Sequence, residues 1–218
     1  PGRSFPVEIK YLDNNELDVD QERLIVNRIL EIDDFSHDGD VLVFLSSERE
    51  IRETEYLLKK AKLFSWEILP LFSRLSTTEQ NRIFIDSKKR RIILSTNIAE
   101  TSITVPNIRF VIDTGRVRIS RYSFRSKIQR LPIESISRAS ADQRAGRSGR
   151  TMPGICYRLY TQNDYDGRSA YTDPEILRTS LASVILRMLD LRIGNIDTFS
   201  FVDQPDSRQI SDGYQLLQ

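Results

Sequence analysis

Val41-Leu-Val-Phe-Leu45 is an unbroken apolar run, and Ser47 with Glu50 right after it has the spacing of a capping box that opens a helix. A short apolar run between polar residues predicts a strand buried on both faces, which requires a parallel sheet covered by helices on each side. The alternation then repeats. A helix is expected through about Lys60, with Ile51, Leu58 and Ala61 on its apolar face. Trp66–Phe72 reads as a strand, and Ser76 with Glu79 caps a short helix ending near Ile85. Arg91–Ser95, Arg109–Asp113 and Gly154–Tyr160 read as further strands. Strand–helix alternation predicts a doubly wound α/β sheet, in which function collects in the loops at the carboxyl ends of strands.

Hydrophobic residues make up 39% and charged residues 29% of the 218, enough apolar material for a core with an appendage. No apolar run approaches the roughly 20 residues that span a bilayer, and no signal-peptide pattern opens the chain, so a cytoplasmic protein is expected. The one cysteine, Cys156, excludes an internal disulfide and reads as a small buried hydrophobe. The one histidine, His37, lies in a polar stretch, and no metal site is expected.

After Tyr160 the pattern changes. Asp173-Pro174-Glu175 reads as a helix opening with Asp173 as N-cap and Pro174 at the first helical position. Leu177–Leu191 then predicts one amphipathic helix with Leu181, Val184, Ile185, Met188 and Leu189 as its partly exposed stripe, and Asp206–Leu217 another. Earlier, Val117–Tyr122 and Lys127–Ile133, joined by Ser123–Ser126, predict a β-hairpin carrying Tyr122 and Phe124.

The net charge of +1 conceals a sharp asymmetry. Arg116, Arg118, Arg121, Arg125, Lys127, Arg130, Arg138, Arg144, Arg147 and Arg150 are opposed only by Glu134 and Asp142, whereas Asp13–Glu22 is acid-rich. Such a segment is either an electrostatic footprint for a phosphate backbone or a solvated basic surface. Within it, Gln143-Arg-Ala-Gly-Arg-Ser-Gly-Arg150 places Gln143, Arg147 and Arg150 at i, i+4 and i+7, on one face if the stretch is helical, with Arg144 roughly 100° away. Gly146 and Gly149 leave room for another backbone or a phosphate. Two guanidiniums so spaced suit a polyoxygen anion such as a nucleotide phosphate tail, and a merely solvated basic helix is the other reading.

Ser95-Thr-Asn-Ile-Ala-Glu-Thr-Ser-Ile-Thr-Val105 and Gln143–Arg150 resemble motifs V and VI of the superfamily 2 helicases, specifically the DEAH-box RNA helicases. Val41–Ile51 is similar to motif IV, and Pro1–Leu12 to the opening segment of the second RecA-like domain. Arg118–Arg150 and Thr172–Leu186 look most like the bacterial HrpA-type members. The motifs fall in the family's order and the resemblance runs nearly end to end. It implies a RecA-like domain over residues 1–165 with motifs IV, V and VI, then a helical connector and the start of a winged-helix region over residues 166–218. The hairpin would project from the RecA-like domain and help separate strands, unless it merely extends the sheet.

The resemblance also assigns residues. Arg147 and Arg150 look like the arginine fingers that stabilise charge on the γ-phosphate. Gln143 would position the attacking water or a phosphate oxygen; it also has the spacing to close a capping box with Ser140. Phe84 resembles the adenine-stacking aromatic, although a lone Phe on a helix is equally a core residue. Thr104 belongs near the nucleotide. Pro106 stands where many eukaryotic members have an aspartate near the ribose, which agrees with the family's tolerance for all NTPs. Ser46, Ser73, Arg74, Thr96 and Asn97 match positions that touch the RNA backbone, contacts that carry little base preference.

A P-loop enzyme also needs GxxxxGK[ST] and an acidic magnesium site, and these residues contain no GK[ST], DEAH or DExD string. The chain is therefore expected to act as half of an ATP-dependent 3′-to-5′ RNA helicase, inactive as an NTPase without the first RecA-like domain. ATP, or another NTP, with Mg2+ would bind only with that domain present. Expected partners are that domain, single-stranded RNA, and larger assemblies such as the ribosome or other RNA–protein complexes, with no membrane. The competing expectation is a non-catalytic module that binds RNA or a protein.

Overall fold

A computed structural model describes residues 5–123 and 125–218. Residues 1–4 of the opening segment and Phe124 of the hairpin lie outside the described residues. The chain divides into two compact units, the first running to Val117 and resuming over Glu134–Tyr171, the second formed by Arg118–Ile133 with Thr172–Gln218.

The first unit is built on β1 (Val7–Tyr11), α1 (Gln21–Phe35), β2 (Asp40–Phe44), α2 (Glu48–Lys60), β3 (Trp66–Leu71), α3 (Thr77–Asn81), β4 (Arg90–Ser95), α4 (Ile98–Thr101) and β5 (Ile108–Asp113). Between this stretch and its return run the short strands β6 (Arg116–Arg118), β7 (Arg121–Ser123), β8 (Ile128–Arg130) and β9 (Ile133–Ser135). The unit closes with α5 (Arg138–Ala145), β10 (Gly154–Arg158) and α6 (Gln162–Gly167). Six strands form one parallel sheet in the order β1-β10-β5-β2-β4-β3.

Strand alternation explains the two faces. Val41, Val43 and Leu45 point into a core closed by Ile25, Ile29 and Ile32 of α1 and Ile51 and Leu58 of α2. Leu42 and Phe44 point the other way, against Ile83, Ala99, Val105 and Ala145. The four apolar β2 residues, Val41–Phe44, are all buried, and each of these side chains contributes about 1.5–3 kcal/mol relative to leaving it in water. Asp40 at the start of β2 is buried too, where it takes Arg91 Nε at 2.8 Å and the Arg91 backbone N–H at 2.8 Å.

Details of the helix starts differ from expectation. Ser47 caps α2 by accepting from the Glu50 backbone, but the Glu50 carboxylate turns to the Ser46 backbone and hydroxyl, so the expected box is only half formed. The Ser76–Glu79 box is complete. Thr54 rather than Ala61 joins Ile51 and Leu58 on the buried face of α2. The hairpin is shorter than its sequence suggests: β7 pairs antiparallel with β8, while β6 pairs with β9 as a separate ribbon where the chain leaves the first unit and returns.

In the second unit, α7 (Glu175–Arg178), α8 (Ala182–Leu191) and α9 (Ser207–Gln215) pack around Leu181, Ile185, Met188, Ile196 and Ile210. The expected continuous helix from Leu177 is broken at residues 179–181, and Pro174 rather than Asp173 occupies the N-cap. The hairpin belongs to this unit: Tyr122 donates to Asp212 of α9 at 2.7 Å, Lys127 pairs with the same carboxylate, and Arg121 pairs with Asp173 at 2.7 Å. Of the expected stripe, Leu181, Ile185 and Met188 are buried while Leu189 is 58% exposed. No helix among the described residues is long and apolar enough to cross a membrane.

Candidate nucleotide and RNA site

The Gln143–Arg150 stretch is not one helix. Helix α5 ends at Ala145 with Gly146 as its cap. Beyond it, Arg147 N–H bonds the Arg144 carbonyl at 3.0 Å and Ser148 N–H bonds that of Ala145 at 3.2 Å, the i+3 pattern of a tightened last turn. Gly149 then adopts φ +71, and its carbonyl accepts from Phe5 N–H at 3.0 Å. The chain turns here because Gly149 lies under the strand-entry residues: a Cβ on it would meet Val7 Cγ2 at 2.5 Å and the Phe5 carbonyl oxygen at 2.9 Å. The room left by this glycine admits a neighbouring backbone.

Arg147 and Arg150 are brought together by turns rather than by a helical face. Arg147 Nη1 donates to the Ile103 carbonyl and Arg150 Nη1 to the Thr104 hydroxyl, each at 3.2 Å. Arg147 is buried and Arg150 half-buried, and neither makes an ion pair with a described carboxylate. Burial, then the like charge of Arg150, press the Arg147 pKa below its ordinary value, with Glu100 opposing. Two cations held side by side without a carboxylate of their own are an arrangement that an anion would relieve. The triphosphate of a nucleotide fits that requirement.

Gln143 is exposed on α5. The capping box that would have explained it is absent: Ser137 is the N-cap, accepting from Ser140 N–H, and the Ser140 hydroxyl goes instead to Glu100. Phe84 is 51% exposed on a single 3-10 turn, while its neighbour Ile83 is fully buried and supplies the core contact. Thr104 is exposed beside buried Val105. Phe84 adjoins Ile83 and Thr104 adjoins Val105 in the chain, and Ile83 and Val105 belong to the core cluster on one face of the sheet that also holds Ala145.

The RNA candidates gather elsewhere, at the carboxyl ends of the adjacent strands β2, β4 and β3. Thr96 N–H donates to the Leu71 carbonyl at 3.2 Å, and Leu45 N–H to that of Ser95 at 2.8 Å, so the three loops are stitched together. Ser73, Arg74 and Asn97 are exposed and Thr96 is half-buried. The Asn97 side chain makes no capping bond to α4, and the Arg74 side chain is 86% exposed, with Glu48 at 3.8 Å its one ion-pair partner among the described residues. Ser46 is buried, its hydroxyl committed to Glu50.

Sequence reasoning missed Arg144. It is fully buried, donating through Nε to Glu100 at 2.9 Å and through Nη1 to Asp113 at 2.8 Å and to the Arg116 carbonyl at 3.1 Å. Its guanidinium lies 4.8 Å from the centre of the Phe44 ring. Burial opposes its charge, but Asp113 and Glu100 outweigh burial and hold its pKa above the ordinary value. The signal was present: Arg144 shares the i, i+3, i+4 face with Ala141 and Ala145, the buried face of the helix. Asp113 also accepts from the Tyr160 hydroxyl at 2.9 Å and the Gly115 backbone at 2.9 Å, and burial followed by Asp113 pushes the Tyr160 pKa up.

A parallel RecA-like sheet with motifs V and VI converging at one face defines the C-terminal half of a superfamily 2 helicase motor. The family described as helicase conserved C-terminal domain matches residues 22–152. The chain is 54% identical over 221 residues to the ATP-dependent RNA helicase HrpA of Escherichia coli (strain K12), and 55% over 219 residues to the HrpA homolog of Haemophilus influenzae. Each alignment covers 100% of this chain but only 17% of the relative's length. The crystal structure of the Escherichia coli DEAH/RHA helicase HrpB superposes with a TM-score of 0.88 at 31% identity, covering 100% of this chain and 28% of that one. The chain belongs to the DEAH-box family of superfamily 2 RNA helicases, as the second RecA-like domain with the tract that follows it.

Proposed function

We propose that this chain is the C-terminal motor half of an ATP-dependent 3′-to-5′ RNA helicase, supplying Arg147 and Arg150 as arginine fingers to an ATP site completed by the first RecA-like domain. The observation that carries this reading is the juxtaposed pair itself, two cations aimed at motif V without a described carboxylate to neutralise them. In that site Gln143 orients the attacking water, Thr104 lies near the nucleotide, and Phe84 offers its exposed ring to the base. The P-loop and the magnesium ligands come from the first domain, whose motifs these residues lack. A finger stabilises charge that develops as the γ-phosphate leaves, so it accelerates turnover without tightening RNA.

On this reading Ser73, Arg74, Thr96 and Asn97 hold the backbone of single-stranded RNA, and Ser46 joins them if Glu50 releases its hydroxyl. Contacts of this type fix position without selecting sequence. The similarity to proteins named ATP-dependent RNA helicases supports the assignment of both ligands. The test joins the chain to a P-loop domain and measures ATP hydrolysis with and without single-stranded RNA. The isolated chain should hydrolyse nothing and the joined protein should show RNA-stimulated turnover. A joined protein that binds RNA but never turns over ATP would make the chain a binding module instead.

A further inference from the structure

We propose that Arg144 is the positioning residue that transmits RNA occupancy at the Thr96–Asn97 loop to the Arg147–Arg150 pair. The inference rests on the reading of those two sites given above and adds the link between them.

Helix α4 is a single turn, Ile98–Thr101, with Asn97 immediately before it and Ile103 and Thr104 just after it. Glu100 sits inside that turn, and its carboxylate is held by two residues of α5, Ser140 and Arg144. From α5 the chain runs directly into the turn that carries Arg147, whose N–H bonds the Arg144 carbonyl. Arg147 and Arg150 then reach back to Ile103 and Thr104. The result is a closed ring running from Asn97 through Glu100, Arg144 and Arg147 to Ile103. Glu100 N–H bonds the Asn97 carbonyl at 2.9 Å, so a shift of Asn97 on an RNA phosphate is passed to Glu100. The Arg144 fork is gripped at the same time by Asp113 and the Arg116 carbonyl, so it passes the shift to α5 instead of swinging free.

Stability alone does not account for this arrangement. Buried ion pairs can often be replaced by apolar residues of like volume without loss, and their best-attested value is in fixing register. One donor of this guanidinium, Nη2, is buried with no hydrogen-bond partner among the described residues. A site selected only to hold the fold together would avoid leaving it so.

The experiment uses the full-length protein carrying Arg144→Lys, which keeps the charge but loses the fork. ATP hydrolysis is measured with and without poly(U) RNA, and RNA affinity with and without a non-hydrolysable ATP analogue. The ratio of stimulated to basal turnover should fall tenfold or more. The effect of nucleotide on RNA affinity should shrink by the same factor as the effect of RNA on nucleotide affinity, because coupling is reciprocal. A merely structural role would lower both turnover rates together and leave their ratio and the affinity coupling intact, and that result overturns the proposal. Ser140→Ala, which removes one hydrogen bond at a half-buried site, carries the test if Arg144→Lys does not fold. Its stimulation ratio should drop severalfold, and an unchanged ratio again overturns the proposal. Arg150→Ala is run beside both: full turnover in that variant would sink the finger assignment, whereas lost turnover there with coupling retained in Arg144→Lys sinks only the link.

Discussion

Arg150 Nη1 stands 3.2 Å from the Thr104 hydroxyl, although the two residues are 46 positions apart in the chain. Arg147 is held to Ile103 in the same way, so the cation pair is aimed by the segment after α4 as much as by its own turn. A hydroxyl that accepts from a guanidinium without neutralising it leaves that cation free to meet a phosphate.

In the full-length protein, Arg150→Ala should therefore lower RNA-stimulated kcat by ~10³ or more, the scale of a lost arginine finger, while RNA affinity stays nearly unchanged. Turnover and RNA affinity measured on one preparation decide it. An Arg150→Ala protein with normal turnover and weakened RNA binding would make this turn an RNA surface.

Arg74→Ala should do the reverse. Its side chain is 86% exposed at the carboxyl edge of the sheet, held only loosely near Glu48 at 3.8 Å. If it holds an RNA phosphate as proposed, removing it lowers the slope of log affinity against log salt by about 0.7, the value for one single-strand phosphate. kcat at saturating RNA should hold. An unchanged salt slope would remove Arg74 from the RNA path.

The sheet was legible because buried parallel strands announce themselves: Val41–Leu45 and the run ending at Ser95 have no polar face to hide. The helix start at Ser76 was legible because its box with Glu79 forms in full, whereas Ser47–Glu50 forms by half and Ser140–Gln143 does not form. What failed was the geometry of Gln143–Arg150. Periodicity counts positions along an assumed helix, and Gly146 and Gly149 ended that helix against β1, a neighbour distant in sequence. Arg144 was passed over for a related reason. An arginine among arginines reads as one more surface cation until Glu100 and Asp113, far away in the chain, are seen to converge on it. The break at residues 179–181 was likewise invisible to an apolar stripe that continues across it.

Tyr157 should contribute to an alkaline limit of the fold. Burial first, with the charge of Glu31 adding and Arg28 opposing, pushes its pKa up to about 12. An unfolded tyrosine ionises near pH ~10, so the folded state favours the neutral phenol. That contribution is fully present below about pH 10 and is lost as pH climbs toward 12. Urea midpoints measured across this window should decline for the native chain and decline less for Tyr157→Phe. Equal slopes for the two would show that Tyr157 does not set the limit.

Gly149→Ala tests whether the turn is as constrained as its geometry implies. The residue sits at φ +71, where an L side chain costs roughly 1–2 kcal/mol. Its new Cβ would also stand 2.5 Å from Val7 Cγ2 and 2.9 Å from the Phe5 carbonyl oxygen. The valine methyl can rotate aside, but the carbonyl belongs to the segment whose N–H bonds Gly149, so relief there breaks that bond. Melting should drop by several degrees, at about 2–4 °C per kcal/mol for a domain of this size. RNA-stimulated turnover of the full-length protein should fall beyond what the lost folded fraction explains, because Arg150 is the next residue and its reach to Thr104 depends on this turn. Gly167→Ala is the matched control: its Cβ would meet nothing within 4 Å and its backbone is not left-handed, so it should leave melting and turnover alone. If the two variants melted together and turned over ATP equally, the turn at Gly149 would be soft, and the placement of Arg150 would have to come from Thr104 alone.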